Sequence, residues 1–260
     1  MPEPRLDPSH AEQGIDSPWW SVHAARYKFA LEHICDRCVL DIACGTGYGM
    51  VMMLQNAATV IGVDLDPEAA SKARIATLDR RAGVTIADGC SLPFADSTFD
   101  VVTSFETIEH LQDRGGFLAE LRRVLKLDGV CLLSTPNAHY THPVDGKPRN
   151  PYHVHEYTPE ELYGELARHF SELVMVGQGL RSEFKMSPYW EDQEQLPKTL
   201  LMQSRRLMWR ALNRSPRSVA DIVSRALWGH DFLPTPDDFV FAPEIVSVAP
   251  VTVAVCRRSV

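Results

Sequence analysis

VLDIACGTGYG, Val39 to Gly49, runs from an apolar, β-branched segment through Asp41 directly into a glycine-rich turn at Gly45, Gly47 and Gly49. A strand that stops in such a turn lets backbone N–H groups approach a ligand closely, because glycine places no Cβ in the way. A lone G-x-G is weak evidence. Here a second signal follows at the right distance: TVIGVDLD, Thr59 to Asp66, reads as another buried strand ending in acid. Asp64 falls about 20 residues past the turn, where a nucleoside-binding α/β fold places the carboxylate that accepts from ribose hydroxyls.

Outward from this pair, strands and helices alternate. Residues 17–34 read as an amphipathic helix with Trp, Tyr and Phe on one side, entered at Ser17-Pro18. Val39–Ala43, Val60–Asp64, Val84–Ala87, Phe99–Phe105 and Val130–Ser134 read as strands. Helices are expected near Tyr48–Asn56, from Pro67 with Asp66 as N-cap, and over Gly116–Leu125, with a turn at Leu127-Asp128-Gly129. This rhythm argues a parallel sheet covered on both faces. A helix over Pro159–His169 and a strand over Ser171–Val176 follow. The last strand, Val246–Val255, is interrupted by Pro250, which predicts an edge position or a bulge.

The expected organisation is an N-terminal arm and cap helix (1–35), a core (36–181), a helical lid or insertion (182–243) and a final core strand (244–260). The insertion holds two amphipathic helices broken at Ser215-Pro216, and Lys198 to Arg225 carries seven basic residues against one acid, Asp221. Its Met/Trp stripe reads as core or dimer contact, so a homodimer is an expected partner state. The N-terminal arm, proline-rich and polar, is expected to be mobile.

Bulk properties narrow the class. A chain of 260 residues, 45% hydrophobic and 23% charged, can bury a full core as one large α/β domain or a domain with a lid. A formal net charge of −8 argues against coating nucleic acid. The first residues lack the apolar region of a signal peptide, and no apolar run approaches a membrane span. Six scattered cysteines suit a reducing cytoplasm, and Cys35-x-x-Cys38 has no second pair to complete a zinc site.

Five blocks in order resemble the class I S-adenosylmethionine-dependent methyltransferases, of the type that includes ubiquinone-pathway and sugar O-methyltransferases. They are VLDIACGTGYG, VIGVDLDPEAASKAR, IADGCSLPFADSTFDVVTSFETIEHL, FLAELRRVLKLDGVCLLSTPN and NPYHVHEYTPEEL, spanning roughly residues 20–180. The family's first turn glycine is Ala43 here. The resemblance implies a Rossmann-like, doubly wound, mostly parallel sheet with an antiparallel C-terminal strand. It implies S-adenosyl-L-methionine as cofactor. Asp41, Ala43, Cys44, Gly45, Thr46 and Gly47 would surround its methionine part, with Arg26 and Tyr27 closing over the amino-acid end. Asp64 would take the ribose diol, Leu65 would pack on adenine, and Asp88, Gly89 and Cys90 would bind its edge. Phe105 would complete the pocket. A dinucleotide reading needs G-x-G-x-x-G, which this chain lacks.

SFETIEHL places Glu106, Glu109 and His110 just past a strand end. If the segment turns helical, positions i, i+3 and i+4 share one face, and two carboxylates and an imidazole converge as metal ligands. His153 is a fourth candidate. The set resembles the metal site of RNA-terminal 2′-O-methyltransferases. Two carboxylates favour Mg²⁺, although two histidines also accept Mn²⁺, Co²⁺ or Zn²⁺. A metal on a vicinal diol would lower the hydroxyl pKa, and His155 or His142 would take the proton, with His153 and Glu106 beside the reacting atoms. The expected activity is O-methylation of a sugar, oligosaccharide or other small vicinal diol. The alternatives are a quinone or phenol O-methyltransferase and, from another class, a cofactor-binding regulator without turnover.

Overall fold

The computed structural model describes residues 18–181 and 200–259. The N-terminal arm and the first part of the insertion, Lys198 included, lie outside the described residues. Helix α1 spans Pro18–Ala30 and is followed by one 3-10 turn, Leu31–His33. The core strands are β1 (Cys38–Ile42), β2 (Thr59–Asp64), β3 (Ala82–Ile86), β4 (Phe99–Phe105) and β5 (Leu125–Pro136). Helices α2 (Tyr48–Met53), α3 (Pro67–Ala76) and α4 (Arg114–Val124) connect them, and α5 (Ala138–Thr141) and α6 (Pro159–Leu166) follow. Strands β6 (Glu172–Leu180), β7 (Phe239–Ala242) and β8 (Val251–Arg257) complete an eight-stranded sheet of order β3-β2-β1-β4-β5-β8-β6-β7.

Strands β3, β2, β1, β4 and β5 pair in parallel, and β8 is antiparallel to both β5 and β6. Both faces of this sheet are buried, as helical crossovers require. Leu40 and Ile42 of β1 pack with Leu118 and Leu121 of α4, while Val39 packs on the other face with Met50 and Met53 of α2. The local signals act as expected: Asp66 accepts from the Glu68 N–H to cap α3, and Thr158 and Glu161 form a capping box at α6. The chain runs outward from β1 in both directions, to β2 and to β4. The loops after β1 and β4 therefore open at the same topological switch point, where open α/β sheets bind ligands.

Three expectations are corrected. Pro250 does not interrupt β8. It precedes the strand's first residue, so it removes no ladder bond, and β8 lies between β5 and β6 rather than at an edge. Leu127-Asp128-Gly129 is not a turn before the strand: β5 begins at Leu125 and contains Asp128 in a left-handed conformation, φ 61°. Helix α1 has no clean polar face, since Ser21, Val22, Ala24, Ala25, Arg26 and Tyr27 are all buried.

The chain divides into two compact units. Among described residues, the first holds Arg26–Gly179 and Phe241 onward. The second holds the start of α1 and Leu180–Val240. In it, α7 (Leu200–Leu212) and α8 (Arg217–Trp228) pack around Leu212, Ala220, Phe232 and Leu233. No helix among the described residues is long and apolar enough to cross a membrane.

Candidate active site

The loop after β1 is built from below. Asp41 is fully buried and pairs across the parallel ladder with Thr103, whose hydroxyl donates to its carboxylate at 2.7 Å. The Tyr27 hydroxyl donates to the same carboxylate at 3.2 Å. Burial pushes the Asp41 pKa up to about 7 against the pull of these two hydrogen bonds. The Tyr27 ring sits edge-on to Phe105 and Tyr48, and it fills the space over Gly49, where a Cβ would lie 2.0 Å from the ring. Asp41, Tyr27, Phe105, Cys44 and Thr46 thus form the floor of the loop, each less than a tenth exposed.

The loop itself carries three left-handed residues: Ala43 (φ 57°), Gly45 (φ 56°) and Gly47 (φ 86°). Gly47 is required twice over, because a Cβ there would also meet the Ala73 backbone of α3 at 2.8 Å. Asp64 at the end of β2 fastens the loop: its carboxylate accepts from the Gly45 N–H at 2.8 Å and from the Asp66 N–H at 2.9 Å. Beside it, Leu65 is 67% exposed. At the next strand end, exposed Asp88 accepts from the Cys90 N–H, and Gly89 lies against Phe117, where a Cβ would have only 2.9 Å.

The loop after β4 departs from expectation. Glu106 is left-handed at φ 53°, and only Ile108–His110 form a turn, of 3-10 type. Glu106, Glu109 and His110 therefore do not share a helical face. Glu106 accepts from the Ser134 hydroxyl at 2.7 Å and lies 3.8 Å from the buried Arg26 guanidinium, which itself donates to Gln178.

The group that does converge is Glu109, His110 and His153, each offering a ligand atom within 4.8 Å of the others. Glu109 is fully buried. One carboxylate oxygen accepts from Thr135 at 3.0 Å, and the other has no hydrogen-bond partner among the described residues. Burial, then the charge of Glu106, raises its pKa well above the usual carboxylate range. The His110 Nδ1 lies 3.0 Å from the Tyr152 carbonyl, a contact that needs Nδ1–H and leaves Nε2 as the acceptor. His153 repeats this: Nδ1 is 2.6 Å from Glu156, and Nε2 faces the Asn150 amide at 2.9 Å. Burial pushes Glu156 up, but hydrogen bonds from His153 and Thr141 outweigh it and hold the carboxyl below its usual range. The two imidazole rings meet edge to face at 4.9 Å.

His142 and His155 lie outside this trio. Exposed His142 ends α5 in a left-handed conformation, and His155 packs edge-on against Tyr157 at 4.5 Å. Sequence reasoning missed Glu156, Thr135 and the Tyr152 carbonyl. The spacing His153-x-x-Glu156 is the one signal in the chain that pointed to any of them.

Residues 40–133 match the family described as the methyltransferase domain. A probable S-adenosylmethionine-dependent methyltransferase of Mycolicibacterium smegmatis is 37% identical over 160 residues, covering 61% of this chain and 60% of that protein. The demethylmenaquinone methyltransferase of Corynebacterium kroppenstedtii is 32% identical over 126 residues, 47% of this chain and 52% of that protein. The chain thus spans little more than half the length of these relatives. Among solved structures, a putative methyltransferase in complex with the Haloferax volcanii Trm112 activator superposes with a TM-score of 0.59 at 15% identity, covering 96% of this chain and 94% of that one.

Proposed function

We propose that this chain is a class I S-adenosylmethionine-dependent methyltransferase, as the match of residues 40–133 to the methyltransferase domain supports, and that it methylates a hydroxyl of a sugar, oligosaccharide or other vicinal diol with divalent-metal assistance. The space for the cofactor fits: a Cβ on Gly45 would meet nothing within 4 Å, and Leu65 leaves an apolar side chain in solvent beside Asp64. Asp64 would accept from the ribose, Leu65 and Asp88 would hold the adenine, and Ala43 to Gly47 would face the methionine part. The bound cofactor supplies a methyl group already activated on a sulfonium.

The observation that carries the metal reading is the buried Glu109 oxygen without a partner, set beside two imidazoles whose Nδ1 atoms are tied back. Tying Nδ1 to a carbonyl or carboxylate fixes tautomer and ring, as partners of metal-bound histidines do. Two imidazoles and one carboxylate suit Mn²⁺, Co²⁺, Fe²⁺ or Zn²⁺ better than Mg²⁺, which departs from the expectation drawn from four ligands that included Glu106. A metal here would lower the acceptor hydroxyl's pKa. Glu156 keeps His153 oriented, Thr135 holds Glu109, and Arg26 with Ser134 holds Glu106 at the rim. Proton removal falls to His155 or His142.

A second reading, a quinone or phenol acceptor, is favoured by the identity to the demethylmenaquinone enzyme. One assay separates the readings: labelled-methyl transfer over sugars, oligosaccharides, catechols and hydroquinones, with chelated enzyme and with Mn²⁺ or Mg²⁺ restored. Metal-dependent labelling of a carbohydrate diol is expected. Labelling of hydroquinones alone would move the acceptor to the second reading. Cofactor binding with no transfer to any acceptor would leave a regulator.

A further inference from the structure

The helical unit presents an apolar face that its own packing does not use. Helix α8 buries Ser224, and Ala220 packs with Leu212 of α7 and with Phe232. Its opposite side carries Val219, Ile222 and Ala226, at i, i+3 and i+7, all exposed, with Ile222 at 67%. On α7, Leu207 is 65% exposed, and Ala211 one turn on is exposed as well. Near Leu207 stand exposed Arg210, three residues along the same helix, and exposed Arg214, in the turn just past the helix end. Exposed Arg225 follows Ile222 by three and is paired with Asp231.

The charge distribution says what such a face meets. Residues 200–225 contain six arginines and one acid, Asp221, in a chain whose formal net charge is −8. That acid is spent internally: it pairs with Arg217 at 3.0 Å and accepts from the Phe232 N–H. An isologous contact with a second copy would set these arginines against one another, and a nucleic acid does not call for the aliphatic stripe. Aliphatic side chains flanked by arginines are what an anionic bilayer interface selects, the first entering the acyl boundary and the second meeting phosphate headgroups. We propose that the exposed faces of α7 and α8 dock this protein onto anionic membrane surfaces, peripherally and without spanning.

The test is co-sedimentation of the full chain with phosphatidylcholine–phosphatidylglycerol vesicles and with phosphatidylcholine alone, at low and high salt. Binding to the anionic vesicles only, weakened by salt, is expected. The charge reversals Arg210→Glu with Arg214→Glu should weaken it by about tenfold or more. The Leu207→Ser and Ile222→Ser pair should weaken it too, through the apolar contact. Both pairs should keep wild-type S-adenosylmethionine affinity, which shows the fold intact. Equal binding to both vesicle types, or none, would overturn the proposal. So would a dimer in sedimentation velocity that the serine pair dissociates without any vesicle binding, since that assigns the face to a second copy.

Discussion

Asp41 is a carboxylate placed where its charge costs most, and this makes the loop beneath the candidate cofactor site pH-sensitive. Its folded pKa, pushed up to about 7 by burial, lies above an unfolded value of about 3.9. The folded state therefore holds a proton that the unfolded state releases between these values, and this group's contribution to stability falls as pH rises from about 4 to about 7. Asp41→Asn removes the dependence. Urea unfolding without cofactor should show the stability difference moving in the variant's favour by about 2–3 kcal/mol between pH 5 and pH 8. At Ala43 the prediction concerns backbone. A left-handed alanine costs about 1–2 kcal/mol, and glycine gives back about 0.4–1 kcal/mol of that through unfolded-chain entropy. Ala43→Gly should therefore raise the melting temperature slightly and leave cofactor affinity intact.

At the scale of elements, the strands before the glycine turn and before Glu106 were legible because buried parallel strands are continuous apolar runs, and Phe99–Phe105 matches its sequence reading to the residue. The final strand was not. VSVAPVTVAV reads as one run, but its first half is spent in the bend before Pro250, which buried Asn137 holds. The Asn137 amide donates to the Val246 and Ala249 carbonyls at 3.0 and 2.8 Å, a contact between residues more than a hundred positions apart that no local pattern reveals. Asn137→Ala leaves both carbonyls without that donor and should cost about 2–3 kcal/mol in chemical denaturation. Glu106 failed for a related reason. E-x-x-E-H spacing fits a helix, but the chain leaves β4 through a left-handed residue held by Ser134 and Arg26, and tertiary contacts override the local period.

Across the whole molecule, the two halves of the candidate site belong to one topological fact: the order in which the chain adds its parallel strands reverses between β1 and β4. The sequence shows which residues stand at those two strand ends. It does not show that the loop at 150–157 folds back so that Val154 and His155 donate to the Glu109 carbonyl and bring His153 to His110. That return places the third proposed ligand and its orienting carboxylate, Glu156, at the switch point. The most direct test is metal binding itself: equilibrium dialysis of chelator-stripped protein against Mn²⁺ or Zn²⁺, with S-adenosylmethionine affinity measured on the same samples. One ion per chain is expected. His153→Ala should abolish it, Glu156→Gln should weaken it by about 10–100-fold, and both variants should bind S-adenosylmethionine as the wild type does. Absence of a bound ion in the wild-type protein, or equal binding in His153→Ala, would contradict the account.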